Sequence, residues 1–380
     1  MSQKLLLSLL LLMLILMTRY INEEENMRVE AHKITKMGDA ATLGICALAR
    51  REDFLIVEWI EYHHILGFEN FYLYLPASAQ IPEMEFNIYR SLLLPLKQRP
   101  EFKLEILVQD INASQPQVKV YQDCHHRFSE MNDWLFFIDV DEFLVPKSHN
   151  TMQGYLQSHP SYLQADALMF PWKEFVAKGF EDHTKQTRPA VVPLIQALNW
   201  AINHTLPTIQ GKMAIHTRRQ PPARGCSFIY YNEFIHNCFA HAPEKIVIST
   251  IDKAPVSFPG QPNVLYNSQH FSTWDVALNH YYTRTCYEWV RELIPKRIDY
   301  LRLVPPYDSI PVWAEPKIDP LHCSKRSALP THSDMNIQRF VPLLLAHTMI
   351  HPLWSKSIYF FPEPASFVLD SSSQTIIHSF

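Results

Sequence analysis

The stretch Trp134–Pro146 reads WLFFIDVDEFLVP: apolar and aromatic residues to Ile138, then Asp139-Val140-Asp141-Glu142, then apolar residues again. Unpaired acidic groups are costly to bury, so carboxylates clustered at the edge of a greasy strand ask for a reason. On an extended chain, residues i and i+2 project to the same side. Asp139 and Asp141 would then share one hard divalent cation, with a substrate's phosphates filling the remaining positions of the octahedron. The alternative is a strand that ends in a solvated acidic turn.

Working outward from this block, the preceding residues alternate strand and helix signals. Thr42–Leu48 is a short apolar run, and Asp53 can cap a helix whose apolar face uses Ile56, Trp59, Ile60, His63 and Leu66. Gly67 is placed to end that helix. Phe71–Tyr74 and Lys103–Val108 read as strands, Val118, Tyr121, His125 and Phe128 mark a second helical face, and Trp134–Ile138 is the next strand. This alternation predicts an α/β fold with a mostly parallel central sheet and right-handed crossovers. Ligands of such sheets bind beyond the carboxyl ends of the strands, where Arg50, Asp110 and the Asp139/Asp141 pair fall.

Composition narrows the class. With 380 residues, 47% of them apolar, the chain exceeds the usual single-domain size and can bury a large core. A formal charge of −4, with no basic stripe, argues against nucleic acid as a partner. Glycine is scarce, and neither G-x-G-x-x-G nor G-x-x-x-x-G-K occurs, so any nucleotide is held without a glycine-rich phosphate loop.

The N-terminus bears on location. Lys4 precedes the apolar run Leu5–Met17, followed by Thr18, Arg19 and Tyr20. The run is short for a membrane-spanning helix and suits a signal-peptide core. The flank carries no small-x-small cleavage site, which favours an uncleaved signal anchor over residues 1–21, stretched by Tyr20, Ile21 and snorkelling of Lys4 and Arg19. Cleavage at an unobvious position is the alternative. Residues 22–41 read as a polar stem. Either way the body is expected in the secretory pathway, as a single-pass type II protein if the anchor is kept. Asn112-Ala113-Ser114 and Asn203-His204-Thr205 are glycosylation acceptors. The cysteines (Cys46, Cys124, Cys226, Cys238, Cys286, Cys323) form an even set compatible with disulfides in an oxidising lumen, with no pairing implied. His236-x-Cys238-x-x-His241 is poorly spaced for zinc and reads instead as packing residues or half a disulfide.

Several stretches taken together resemble glycosyltransferase family 92 and its family-2-like relatives. They are the run Cys46–Leu55 (CALARREDFL), Glu58–His63 with Leu66-Gly67-Phe68, Gln117-x-x-x-Tyr121-x-x-Cys124, the Trp134–Phe143 block, and Leu278-Asn279-His280-Tyr281-Tyr282-Thr283-Arg284. Their order and spacing match over roughly residues 43–300. The resemblance implies a GT-A (Rossmann-like) catalytic domain over residues 42–300 and a UDP-linked nucleotide-sugar donor whose diphosphate binds Mn²⁺ or Mg²⁺. It further implies an inverting hexose transfer, best matched by galactose from UDP-galactose, to a glycan acceptor in the Golgi lumen.

On that resemblance, Asp139, Asp141 and His280 form the metal set, with His280 either a ligand or a diphosphate contact. A packed ring bonded to the backbone is the alternative for His280. Arg50 suits the phosphates or ribose, and Glu52 from the same run is counted with it. Asp110, Asp139, Lys212 and Arg284 complete the donor-binding set. Inversion needs a general base on the acceptor side. Trp172-Lys173-Glu174-Phe175 and Gly179-Phe180-Glu181-Asp182-His183 offer carboxylates, of which Glu181 or Asp182 is favoured. Two departures stand out. Relatives carry an Asp-Asn-type turn after the second strand where this chain has Tyr74-Leu75-Pro76-Ala77-Ser78. The small-residue segment usual after the Trp172 position is not legible in Phe175–Gly179.

A non-catalytic relative that keeps the fold and binds glycans or partners is the rival reading. A phosphatase-like D-x-D nucleophile is disfavoured, because Glu142, Phe143 and Leu144 follow where a hydroxyl residue is wanted. Residues 301–380 are expected to extend over the catalytic domain. Val304–Pro320 is a proline-rich strap, and Phe340–Ile350 is too short to span a bilayer.

Overall fold

The computed structural model describes residues 41–49, 55–76, 91–109, 116–182, 194–202, 211–219, 229–231, 235–237, 247–250, 274–282, 284–290, 322–329 and 331–350. The strands are β1 (Leu43–Leu48), β2 (Asn70–Pro76), β3 (Lys103–Gln109), β4 (Trp134–Phe137), β5 (Glu142–Pro146), β6 (Ala167–Val176), β7 (Trp200–Ile202), β8 (Gly211–His216), β9 (Ile229–Tyr231), β10 (Ile235–Asn237), β11 (Val247–Ser249), β12 (Val276–His280) and β13 (Thr331–Ser333). The main path of the sheet runs β13-β7-β6-β8-β4-β1-β2-β3.

The first four strands pair in parallel, Ile45 against Phe71 and Phe136, and Phe71 against Leu104. This is the parallel pairing expected from the strand and helix signals, and each predicted strand in this half is present. The second half is mixed. β8 lies antiparallel between β4 and β6, while β12 runs parallel to β6 and antiparallel to β5. The sheet therefore curls, and β5-β12-β6 forms a second wall beside the carboxyl end of β4.

Helix α1 (Leu55–Ile65) connects β1 to β2 and is buried from Leu55 to His63, charged residues included. Such all-round burial needs internal partners. Trp59 Nε1 donates to Glu142 O (2.9 Å) and Tyr62 Oη to Leu144 O (2.6 Å), and the Glu58 carboxylate accepts from Leu194 N and Ile195 N. The helix thus braces β5 at Glu142, the last residue of the acidic block, and at Leu144. Gly67 ends the helix region in the left-handed conformation, φ 93°, which only glycine adopts without strain. Helix α2 (Pro116–Phe128) opens on a proline, where a missing N–H costs nothing, and is tied to β1 by the Cys46–Cys124 disulfide.

The C-terminal segments pack on this body. Helix α3 (His322–Ser327) is joined by the Cys286–Cys323 disulfide to the segment after β12. Arg339 donates to the carbonyls of Pro146, Lys147 and His149. Helix α4 (Val341–Ile350) follows, with Phe340 edge-on to Tyr62 at 5.5 Å and Leu344 buried. Among the described residues no helix is long and apolar enough to cross a membrane. The anchor expected over residues 1–21, the stem, Asn112, Asn203, Cys226, Cys238 and His241 lie outside the described residues.

Candidate active site at the acidic turn

β4 ends at Phe137 and the chain reverses through Asp139–Glu142. Glu142 N donates to Asp139 O (3.1 Å), and Asp139 N donates to Glu142 Oε2 (2.8 Å). The block is therefore a doubly closed turn, not the extended chain that the i, i+2 argument assumed. Its consequence is that the two aspartates face different partners. Tyr281 N, just past β12, donates to Asp141 O (3.0 Å) and docks the turn against the second wall.

Asp139 faces the parallel half. Its Oδ1 accepts from Gln117 Nε2 and from Tyr121 Oη, 3.1 Å away, both on α2. Its Oδ2 accepts from Lys212 Nζ at 2.7 Å. Lys212, on β8, is 1% exposed and stands 3.8 Å from Glu142 Oε1. Burial alone would lower its pKa, but Asp139 and Glu142 hold it well above the usual lysine value. Burial pushes the Glu142 carboxyl the other way from ionisation, above its usual range, with Lys212 opposing. A buried cation thus already serves the carboxylate that the sequence offered to a metal.

Asp141 faces β12. Its Oδ2 lies 3.9 Å from His280 Nε2, and the aspartate side chain is 19% exposed. Burial lowers the His280 pKa, with Asp141 and Glu174 opposing, which favours the neutral imidazole that ligates metals. His280 Nδ1 is buried without a hydrogen-bond partner among the described residues. No three His, Cys, Asp or Glu side chains converge as a closed cation cage among the described residues. The triad Asp139/Asp141/His280 is therefore not assembled as one set, because Asp139 turns to Lys212 while Asp141 turns to His280. Asp141 and His280 do fit a hard divalent cation. An ion with ligand bonds of about 2.1 Å reaches both across their gap, and such ions take one or two carboxylates plus phosphate oxygens and water.

Of the other expected site residues, Arg284 is 3% exposed and adopts φ 48°, its N bonded to Tyr281 O, in the turn after β12. Glu181 lies on the exposed end of the loop after β6, its carboxylate accepting from Gly179 N (2.8 Å), and Asp182 follows it. Arg50, Glu52 and Asp110 lie outside the described residues. Sequence reasoning gave no role to Gln117, Tyr121 or Glu142. The signal was present for the first two: i, i+4 spacing puts them on one helix face, and their side chains share a 3.0 Å hydrogen bond.

Residues 42–220 match the model of glycosyltransferase family 92. Two curated relatives are the galactan β-1,4-galactosyltransferases GALS2 and GALS3 of Arabidopsis thaliana. They are 29% identical over 124 residues and 28% over 122, each match covering 30% of this chain and 22% of the relative. The match thus spans about a fifth of those proteins. Among solved structures, the mannosyltransferase PcManGT of Pyrobaculum calidifontis, in complex with GDP-Man and Mn²⁺, has a TM-score of 0.33 at 12% identity, covering 88% of this chain and 84% of that one. Glucosyl-3-phosphoglycerate synthase of Mycobacterium tuberculosis, with Mg²⁺ and UDP, gives 0.23 at 15%, covering 47% and 57%. Both superpositions are loose. The family match, by contrast, takes in the four parallel strands, the Gln117–Tyr121 pair, the acidic turn and Lys212. Over residues 42–220, just under half of its length, the chain is similar to glycosyltransferase family 92.

Proposed function

We propose that this protein is a metal-dependent hexosyltransferase that moves galactose from UDP-galactose to a glycan acceptor, with inversion. The observation that carries the proposal is the acidic turn at the carboxyl end of β4, with Asp141 3.9 Å from the neutral His280 and Lys212 buried behind Asp139. A divalent cation, Mn²⁺ or Mg²⁺, held by Asp141 and His280 would supply positive charge to the donor's diphosphate. Lys212 fixes Asp139, and through it the turn, in place. Gln117 and Tyr121 hold the other Asp139 oxygen, so the turn is set before donor arrives, which is what electrostatic preorganisation requires. The choice of galactose follows the names of the Arabidopsis relatives.

The proposed setting is the Golgi lumen, with residues 1–21 as a signal anchor. The disulfides Cys46–Cys124 and Cys286–Cys323 support an oxidising compartment. Incubating the full-length protein with UDP-galactose, with and without Mn²⁺, and reading UDP release tests the proposal. Metal-dependent release is expected; equal, background-level release under both conditions would sink it. One observation favours a second reading. Lys212 neutralises Asp139 as a cation would, which is how a non-catalytic relative could keep the turn without metal. Such a protein would show no Mn²⁺-dependent binding of UDP.

A further inference from the structure

β6 and β12 pair in register Leu278 with Trp172 and His280 with Glu174. Paired residues of parallel strands project to one side of a sheet, so Trp172, Glu174 and His280 share a face, and β5 adds Glu142 opposite His280. The Trp172 ring lies against His280 (centroids 4.6 Å), and Tyr282 meets His280 edge-on at 5.5 Å. Arg326, on α3, donates to the Glu174 carboxylate and stands 5.7 Å over the Tyr282 ring. The rim reaches solvent in part: Glu174 is 16% exposed and Arg326 22%. Two buried polar atoms of this shelf, Trp172 Nε1 and His280 Nδ1, have no hydrogen-bond partner among the described residues.

We infer that this shelf is the acceptor subsite, and that its ligand is a neutral hexose chain. The inference rests on the glycosyltransferase reading above. A hexose presents an apolar patch of C–H bonds on one face and hydroxyls around its edge. Trp172 and Tyr282, both half-buried, offer exposed aromatic surface for the former. Glu174 and Arg326 offer an acceptor and a donor fork for the latter. Because Arg326 pairs with Glu174, it offers a phosphate no lone positive charge. The anionic part of the donor goes instead to the side of the Asp141–His280 pair. His280 borders both, so a sugar on the shelf lies beside the donor's end of the site. Tyr282 and Arg326 come from outside the family-matched stretch, and Cys286–Cys323 carries α3 to its place. The C-terminal segment therefore selects the acceptor.

The test uses full-length protein with β-1,4-linked galactotetraose, cellotetraose and mannotetraose, each read by saturation-transfer NMR, and UDP with Mn²⁺ read by calorimetry. At least one tetrasaccharide is expected to bind. Trp172→Ala, Glu174→Gln and Arg326→Gln should each weaken it by about tenfold or more, while Trp172→Phe stays within about threefold and UDP–Mn²⁺ affinity within about twofold. Glu174→Gln and Arg326→Gln change partly exposed side chains, so the test stands even if Trp172→Ala fails to fold. The inference is overturned if no tetrasaccharide binds the wild type, or if these variants bind as tightly as it does. Sugar binding that follows Trp172 without any UDP–Mn²⁺ binding would uphold the shelf and remove the transferase reading. UDP–Mn²⁺ binding without sugar binding would do the reverse.

Discussion

Replacing Lys212 with methionine removes one ammonium and little volume. In the native protein that ammonium is 2.7 Å from Asp139 Oδ2 and 3.8 Å from Glu142 Oε1. At an effective dielectric of about 20 these contacts correspond to about 6 and about 4 kcal/mol of attraction, and desolvation of the buried lysine offsets several of them. Losing one partner leaves the others stranded, which costs about 3–5 kcal/mol, or a fall in Tm of roughly 6–20 °C for a domain of this size. Burial raises the Glu142 carboxyl above its usual range. A raised folded-state pKa favours the native state at low pH and loses that advantage as pH rises through it. In Lys212→Met a proton on Glu142 can replace the missing ammonium, so the deficit should shrink from pH 8 toward pH 5. Adding Glu142→Gln should recover a large part of it, since no buried carboxylate is then left unpaired. Differential scanning fluorimetry across pH, with and without Mn²⁺, measures all of this, and Mn²⁺ should stabilise Lys212→Met more than the wild type. A single variant within about 1 kcal/mol of wild type at pH 7.5, unmoved by the second substitution, would refute the reasoning.

Asp141→Asn keeps the turn's backbone bonds and alters a rim side chain, so transfer should fall by about a hundredfold or more while Tm shifts by no more than about 2 °C; retained turnover would remove the metal role of Asp141. His63 is buried between Trp59 O (2.9 Å) and Leu144 N (3.4 Å), and burial lowers its pKa to about 3. Its folded value lies below the unfolded one, so the stability it contributes is present above about pH 6.5 and lost as pH falls toward 3, about 3 kcal/mol by pH 4.5. Urea titrations should show that loss in the wild type and a flatter acid limb in His63→Gln. If the body is lumenal, endoglycosidase treatment should increase the gel mobility of the wild type but not of Asn112→Gln with Asn203→Gln. An unglycosylated wild type expressed in mammalian cells would speak against the Golgi proposal.

The parallel half of the fold is legible because its strands are short apolar runs separated by polar breaks and α2 carries the 3.6-residue period, although α1 is buried on every side and not on one face. The mixed half is not, since β8 and β12 acquire their neighbours through pairings that no local pattern encodes. The acidic block shows the same divide at the scale of a few side chains. Its composition marks a charged site, but the i, i+2 rule places side chains only on extended backbone, and the Glu142 N to Asp139 O bond makes it a turn. Glu142 reads in sequence like its acidic neighbours, yet it is 0% exposed and belongs to the fold. Lys212 lies 73 residues from Asp139, so nothing in the sequence around the turn announces its counter-ion. That counter-ion changes the chemistry. With Asp139 matched by Lys212 and Glu142 held toward its protonated form, the turn brings Asp141 as the charge that, among the described residues, faces only the neutral His280. One carboxylate and one neutral imidazole are a weak hold on a divalent cation by themselves. Tight binding would then require phosphate oxygens as well, so metal and donor should bind each other's complex far better than either binds the free protein.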